Sequence, residues 1–200
     1  MPLRRTIRYK SWKQSLYKWD SWIQNRHRSE KTCDPWSRFI IEDCIGKTAV
    51  FNSGGIFFKD FMPNITVVEV DACPIQVNGM HYLSSGVSFN NEFDNLILIN
   101  PLTMKYNYSI LDFLVNPGIC RAGFKPNILN WLKRPSKIYL SFSDWHMYYD
   151  RLRITVHEMI AMQINELQQH KIYCDYLEVT NVNSDIENGN IKLVLSVKSS

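Results

Sequence analysis

Ile65-Thr66-Val67-Val68-Glu69-Val70-Asp71-Ala72-Cys73-Pro74 is the stretch that decides the fold. Its apolar run is continuous and β-branched rather than alternating. A strand with one wet face alternates, whereas a strand buried on both faces reads this way and belongs to a parallel sheet. Three more runs share the character. Thr48-Ala49-Val50-Phe51 ends in Asn52-Ser53-Gly54-Gly55, Leu96-Ile97-Leu98-Ile99 ends in Asn100-Pro101, and Lys137-Ile138-Tyr139-Leu140-Ser141-Phe142 leads to Asp144. A weaker run lies near His81-Tyr82-Leu83.

Parallel neighbours need crossovers, and two segments between and after the runs read as helices. Residues 127–133 suit a short one. Residues 150–169 suit a longer one, with Leu152, Val156, Met159, Ile160, Ile164 and Leu167 on one side. Ile172 to Val179 and Ile191 to Val197 then read as two antiparallel strands. Turn formers join them, and Asn188-Gly189 is the hairpin signal. The expected fold is a three-layer α/β domain over residues 39–200. Its sheet is mainly parallel and Rossmann-like, ends in an antiparallel hairpin, and follows an N-terminal helical arm over residues 1–38.

The chain has 200 residues, 45% hydrophobic and 21% charged, which excludes a wholly disordered or collagen-like chain. Aromatics at 13% can fill a sizeable core. The five cysteines form no CxxC pair and their number is odd, so neither a zinc ribbon nor a disulfide framework is expected. No metal site is expected either. With no secretory leader and no transmembrane stretch, the expectation is a cytoplasmic protein with reduced thiols.

The net charge of +4 hides an asymmetry. Residues 1–38 hold ten Lys and Arg against Asp20, Glu30 and Asp34, a net of +7, and residues 39–200 carry a net of −3. Four of the six tryptophans, Trp12, Trp19, Trp22 and Trp36, lie in the basic segment. Tyr9, Trp12, Leu16, Trp19 and Ile23 recur at helical spacing, with Lys10, Lys13, Lys18 and Arg26 largely off that face. One reading is a helix packed on the domain by its aromatic stripe. Another is a surface for nucleic acid, in which cations neutralise phosphates and rings stack on bases. A membrane-surface helix is a third.

In open parallel sheets ligands bind beyond the carboxyl ends of the strands. The residues after each run are therefore the candidate site. Gly54 and Gly55 let the backbone approach a ligand closely. Asp71 can accept two hydrogen bonds from a ribose diol. Asn100 can both donate to and accept from an amino group. Elsewhere, Asp144-Trp145-His146 follows the last run, where His146 is a candidate base beside Asp144 or Asp150 or else a surface residue. His157-Glu158 begins a zinc-protease pattern, but Ala161 stands where the second His must be.

Strand, glycine turn, strand ending in acid, and a strand ending in Asn-Pro resemble the class I S-adenosylmethionine-dependent methyltransferases. Glu69-Val70-Asp71-Ala72-Cys73-Pro74 is similar to the family's second motif. Phe93-Asp94-Asn95-Leu96-Ile97-Leu98-Ile99-Asn100-Pro101 looks like the lead-in to the Asn-Pro-Pro-aromatic motif of amino-group methyltransferases. The resemblance implies S-adenosylmethionine as cofactor, with Asn52, Gly54 and Gly55 along it and Asp71 on its ribose. It implies Asn100 and Pro101 as the catalytic pair at the acceptor amine, on a nucleic acid or a protein.

The chain departs from the family at several points. The family's glycine loop reads acidic-x-Gly-x-Gly-x-Gly, and here Val50-Phe51-Asn52-Ser53-Gly54-Gly55-Ile56-Phe57 has no acid and two adjacent glycines. Ser84-Ser85 stand where an acid often meets adenine, and Leu102-Thr103 replace the second Pro and the aromatic. Three readings stand: a methyltransferase, a non-catalytic Rossmann-like binding or assembly protein, and another nucleotide-binding α/β enzyme. The small size and eroded motifs suit a virus-encoded protein. The oligomeric state is not legible.

Overall fold

The computed structural model describes residues 35–51, 58, 61–62, 64–69, 80–82, 88–99, 109–115, 127–142, 156–181 and 189–199. The chain divides into two compact units, Met1–Phe39 and Ile40–Ser200. In the first, residues 35–39 are described. They begin helix α1 (Pro35–Asp43), and Trp36 stacks on Phe39 with ring centroids 5.5 Å apart. The helix was not expected, because the sequence after Pro35 reads as short apolar runs. Its signal was Pro35 itself: at the first helical position proline's fixed φ is pre-organised and its missing N–H costs nothing.

The second unit is built on a sheet that, among the described residues, has seven strands in the order β3-β2-β1-β4-β5-β7-β6. These are β1 (Thr48–Phe51), β2 (Ile65–Glu69), β3 (Met80–Tyr82), β4 (Phe93–Ile99), β5 (Leu132–Phe142), β6 (Ile172–Asn181) and β7 (Gly189–Val197). The pairs β2–β3, β1–β2, β1–β4 and β4–β5 are parallel. The pairs β5–β7 and β6–β7 are antiparallel. The expected mainly parallel sheet with a terminal antiparallel hairpin is what the chain forms.

The continuous apolar runs follow from burial on both faces. Ala49, Phe51, Val68, Leu96, Leu98, Ile138 and Leu140 join the main core on one face. There they meet α2 (Ile110–Val115) through Ile110, Leu111 and Leu114, and α3 (Val156–Gln169) through Met159, Ile160 and Leu167. Val50, Val67, Ile97 and Tyr139 alternate onto the opposite face and are buried as well. The two helices are joined by a buried polar contact: Gln163 of α3 accepts the Ile110 N–H at the start of α2, at 2.8 Å. Ser109 caps the same end by accepting the Asp112 N–H.

Two boundaries differ from expectation. Residues 127–133 make only a 3-10 turn, Ile128–Trp131, and β5 starts at Leu132, five residues early. Pro135, which has no N–H for a ladder, lies where the β4–β5 register shifts, between the pairs Phe93↔Leu132 and Asn95↔Lys137. At the hairpin, Gly189 is already in β7 and pairs with Asn181, while Asn188 lies outside the described residues. Among the described residues no helix is long and apolar enough to cross a membrane.

Candidate functional site

β1 is the central element of the site. The chain leaves it to one side for β2 and β3 and returns on its other side with β4, so the sheet's topological switch lies between β1 and β4. A crevice outside the strand ends is expected at such a point. The register makes the edge level. Phe51 at the end of β1 pairs with Val68 of β2 and with Leu98 of β4. At about 4.8 Å per strand, the three carboxyl ends lie within about 10 Å of one another.

Each predicted site segment begins one or two residues past these three ends. Asn52 follows Phe51 directly, Asp71 follows Glu69 by two, and Asn100 follows Ile99 directly. Asn52, Gly54, Gly55, Asp71, Asn100 and Pro101 themselves lie outside the described residues, as do Cys73, Asp144, His146 and Asp150. The three strands from which the sequence runs into these segments end at one edge of the sheet.

The last residue of β1 carries core rather than charge. Phe51 is fully buried and stacks on Trp131, with centroids 5.7 Å apart and planes at 23°. Phe89 meets the same Trp131 ring edge-on at 5.1 Å and also meets Phe93 and His81. All four residues of β1 are buried, so β1 itself offers no carboxylate to a ligand.

The polar chemistry that is described lies elsewhere. At the amino ends of β1 and β4, Asp94 accepts the Lys47 N–H at 2.8 Å and the Lys133 ammonium at 3.1 Å. The backbone N–H of Lys47 is the main reason its carboxyl sits below the usual range. Gly46 has φ +101°, and a Cβ there would come within 2.5 Å of the Asp94 Oδ2. Asn95 donates to the Ile45 carbonyl at 2.9 Å and to the Thr48 hydroxyl at 3.2 Å. Asp94 and Asn95, quoted above as the lead-in to a catalytic motif, therefore fasten the opposite edge of the sheet.

A second cluster escaped sequence reading. Asp43 at the end of α1 accepts the Tyr139 hydroxyl at 2.6 Å and the Lys137 ammonium at 2.9 Å. The Tyr139 hydroxyl, then Lys137, hold its carboxyl below the usual range. Burial pushes the Tyr139 phenol up, and Asp43 adds to it. Beside them burial pushes the Cys44 thiol up to about 11, which leaves it inert as a nucleophile near neutrality. A lysine and a tyrosine two apart on one strand share a face, but no spacing in the sequence links them to an aspartate so far away.

No family model matches the chain, and no curated protein matches it. Solved structures do resemble it. A protein of Listeria monocytogenes described as a "putative S-adenosylmethionine dependent methyltransferase" has a TM-score of 0.51 at 8% identity, covering 80% of this chain and 96% of that one. P. horikoshii TYW2 in complex with MeSAdo has a TM-score of 0.50 at 9% identity, covering 86% and 66%. N-methyltransferase NodS from Bradyrhizobium japonicum WM9, in complex with S-adenosyl-L-homocysteine, has a TM-score of 0.48 at 10% identity, covering 83% and 89%. The chain has the Rossmann-like fold of the class I S-adenosylmethionine-dependent methyltransferases.

Proposed function

We propose that this protein is an S-adenosylmethionine-dependent methyltransferase acting on an amino group. One observation carries the reading. Val68, Phe51 and Leu98 are level on three adjacent parallel strands, and the sequence continues from those strands into Asp71, the glycine turn and Asn100-Pro101. That edge is where this fold accepts a ligand. When bound, S-adenosylmethionine supplies a methyl group on a sulfonium, which is transferred by in-line displacement. Asn52, Gly54 and Gly55 would lie along the cofactor, with Asp71 accepting from the ribose hydroxyls. Asn100 would hold the acceptor amine through its carbonyl, and Pro101 would fix the backbone beside it. Positioning of this kind is the main contribution that residues without acid–base chemistry can make.

Calorimetry with S-adenosylmethionine and S-adenosylhomocysteine tests the reading. Dissociation constants in the micromolar range are expected for both.

A second reading is favoured by the glycine turn. Val50 to Phe57 holds no acid and only two adjacent glycines, where the family's loop reads acidic-x-Gly-x-Gly-x-Gly. The protein would then be a non-catalytic binding or assembly protein on the same fold. No heat and no thermal shift at millimolar ligand would end the first reading and leave this one standing.

A further inference from the structure

We propose that residues 1–38 bind single-stranded nucleic acid, and that nucleic acid is the substrate class of the reaction proposed above. The second clause rests on that reading and the first does not.

The body's described lysines are largely neutralised where they stand. Lys47 pairs with Glu92 at 2.6 Å, Lys133 with Asp94 at 3.1 Å, Lys137 with Asp43 at 2.9 Å and Lys192 with Glu178 at 2.8 Å. The N-terminal segment cannot balance itself in this way. Its ten Lys and Arg face three acids of its own, so at least seven positive charges remain after every internal pairing. A surplus of that density within 38 residues attracts a polyanion and releases its counterions.

The type of polyanion follows from the side chains between the charges. Residues 1–38 hold six aromatics and only four Leu and Ile, with no Val or Phe. Cation and ring alternate closely, as in Tyr9-Lys10-Ser11-Trp12-Lys13 and Tyr17-Lys18-Trp19. Exposed bases of a single strand stack on such rings while the cations follow the phosphates. A duplex hides its base faces, and a lipid surface favours aliphatic area as much as rings. The structure removes one ring from the set: Trp36 is buried and stacked on Phe39. Trp12, Trp19 and Trp22 remain as the stacking candidates.

The test is fluorescence anisotropy of a labelled single-stranded oligonucleotide of about 20 nucleotides, long enough to fill a site. It uses the full-length chain without S-adenosylmethionine, and salt is varied. Neutralising about six phosphates gives a log–log slope of about −4, so a fourfold rise in salt weakens binding by about two orders of magnitude. Replacing Lys10, Lys13 and Lys18 together with Gln should flatten the slope by about 2. The matching Arg variant should restore it. Trp12→Leu with Trp19→Leu should weaken binding while leaving the slope unchanged.

Absence of binding at low salt, or binding indifferent to salt, overturns the proposal. So does an unchanged slope in a Gln variant whose thermal transition is intact. If the Gln variant does not fold, the wild-type slope and the Arg variant still decide. Binding to vesicles of phosphatidylserine and phosphatidylcholine with none to the oligonucleotide overturns it in favour of a membrane surface. Oligonucleotide binding without any heat from S-adenosylmethionine supports the first clause and removes the methyl-transfer reading. Heat without oligonucleotide binding does the reverse.

Discussion

Tyr139→Phe removes one hydroxyl from a fully buried ring and leaves the ring in place. The lost interaction is the 2.6 Å hydrogen bond to the Asp43 carboxylate. A hydrogen bond to a charged group contributes about 1.5–3 kcal/mol. The Asp43 side chain is 32% exposed and keeps Lys137 as a partner, so water and the ammonium replace part of the loss. The expected destabilisation is therefore about 1–2 kcal/mol near neutral pH. In urea, with a slope of about 2 kcal/mol per molar, the midpoint should fall by about 0.5–1 M with no change of slope.

The pH dependence supplies a sharper readout. Asp43 is held below its ordinary value of 3.8, with the Tyr139 hydroxyl as the largest cause. A carboxylate with a depressed folded-state pKa contributes stability that is present above the unfolded value and lost as pH falls through the folded one. The cost of Tyr139→Phe should accordingly be full above 3.8 and shrink below it, as Asp43 takes up its proton. A double-mutant cycle with Asp43→Asn should give a coupling of about 1 kcal/mol. A destabilisation below about 0.3 kcal/mol, or one that is the same on both sides of the titration, would refute the hydrogen bond as the basis of the effect.

Three further outcomes follow. Gly46→Ala should destabilise by about 1–2 kcal/mol in thermal or urea unfolding, because φ is +101° and the new Cβ meets Asp94. Combining it with Asp94→Ala should recover part of that loss. Leu98→Ala, at a fully buried position of the central sheet, should cost about 2–5 kcal/mol, whereas Leu177→Ala on the half-exposed edge strand should stay within about 0.5 kcal/mol. Asp71→Ala should weaken S-adenosylmethionine binding by about 30- to 150-fold in calorimetry, the loss of a charge-assisted pair of hydrogen bonds, with the thermal transition unmoved.

The fold was legible because its signal is redundant. Val50, Val67, Ile97 and Tyr139 fill one face while Ala49, Phe51, Val68 and Leu98 fill the other. The runs could not alternate, and their continuity announced a parallel sheet. Element ends were less legible because they depend on single residues. Pro35 opens a helix that the surrounding pattern conceals, and Pro135 sits inside a strand where the register shifts. The Asp43–Tyr139–Lys137 cluster could not be read at all. Its partners are 94 and 96 residues apart, and only the two hydrogen bonds to Asp43 in the folded chain join them. For the candidate site the sequence supplies residue types, and the register supplies the common edge on which their segments begin.

The described polar and apolar fastenings of the central strands lie at opposite ends of the sheet. The described polar fastenings, Asp94 with Lys47 and Lys133 and Asn95 with Ile45 and Thr48, grip the amino ends of β1 and β4. The carboxyl end of β1 is anchored by the apolar contact of Phe51 against Trp131. Asp71→Ala and Leu98→Ala should therefore part company. The first acts on affinity and spares stability, and the second acts on stability whether or not a ligand is ever bound.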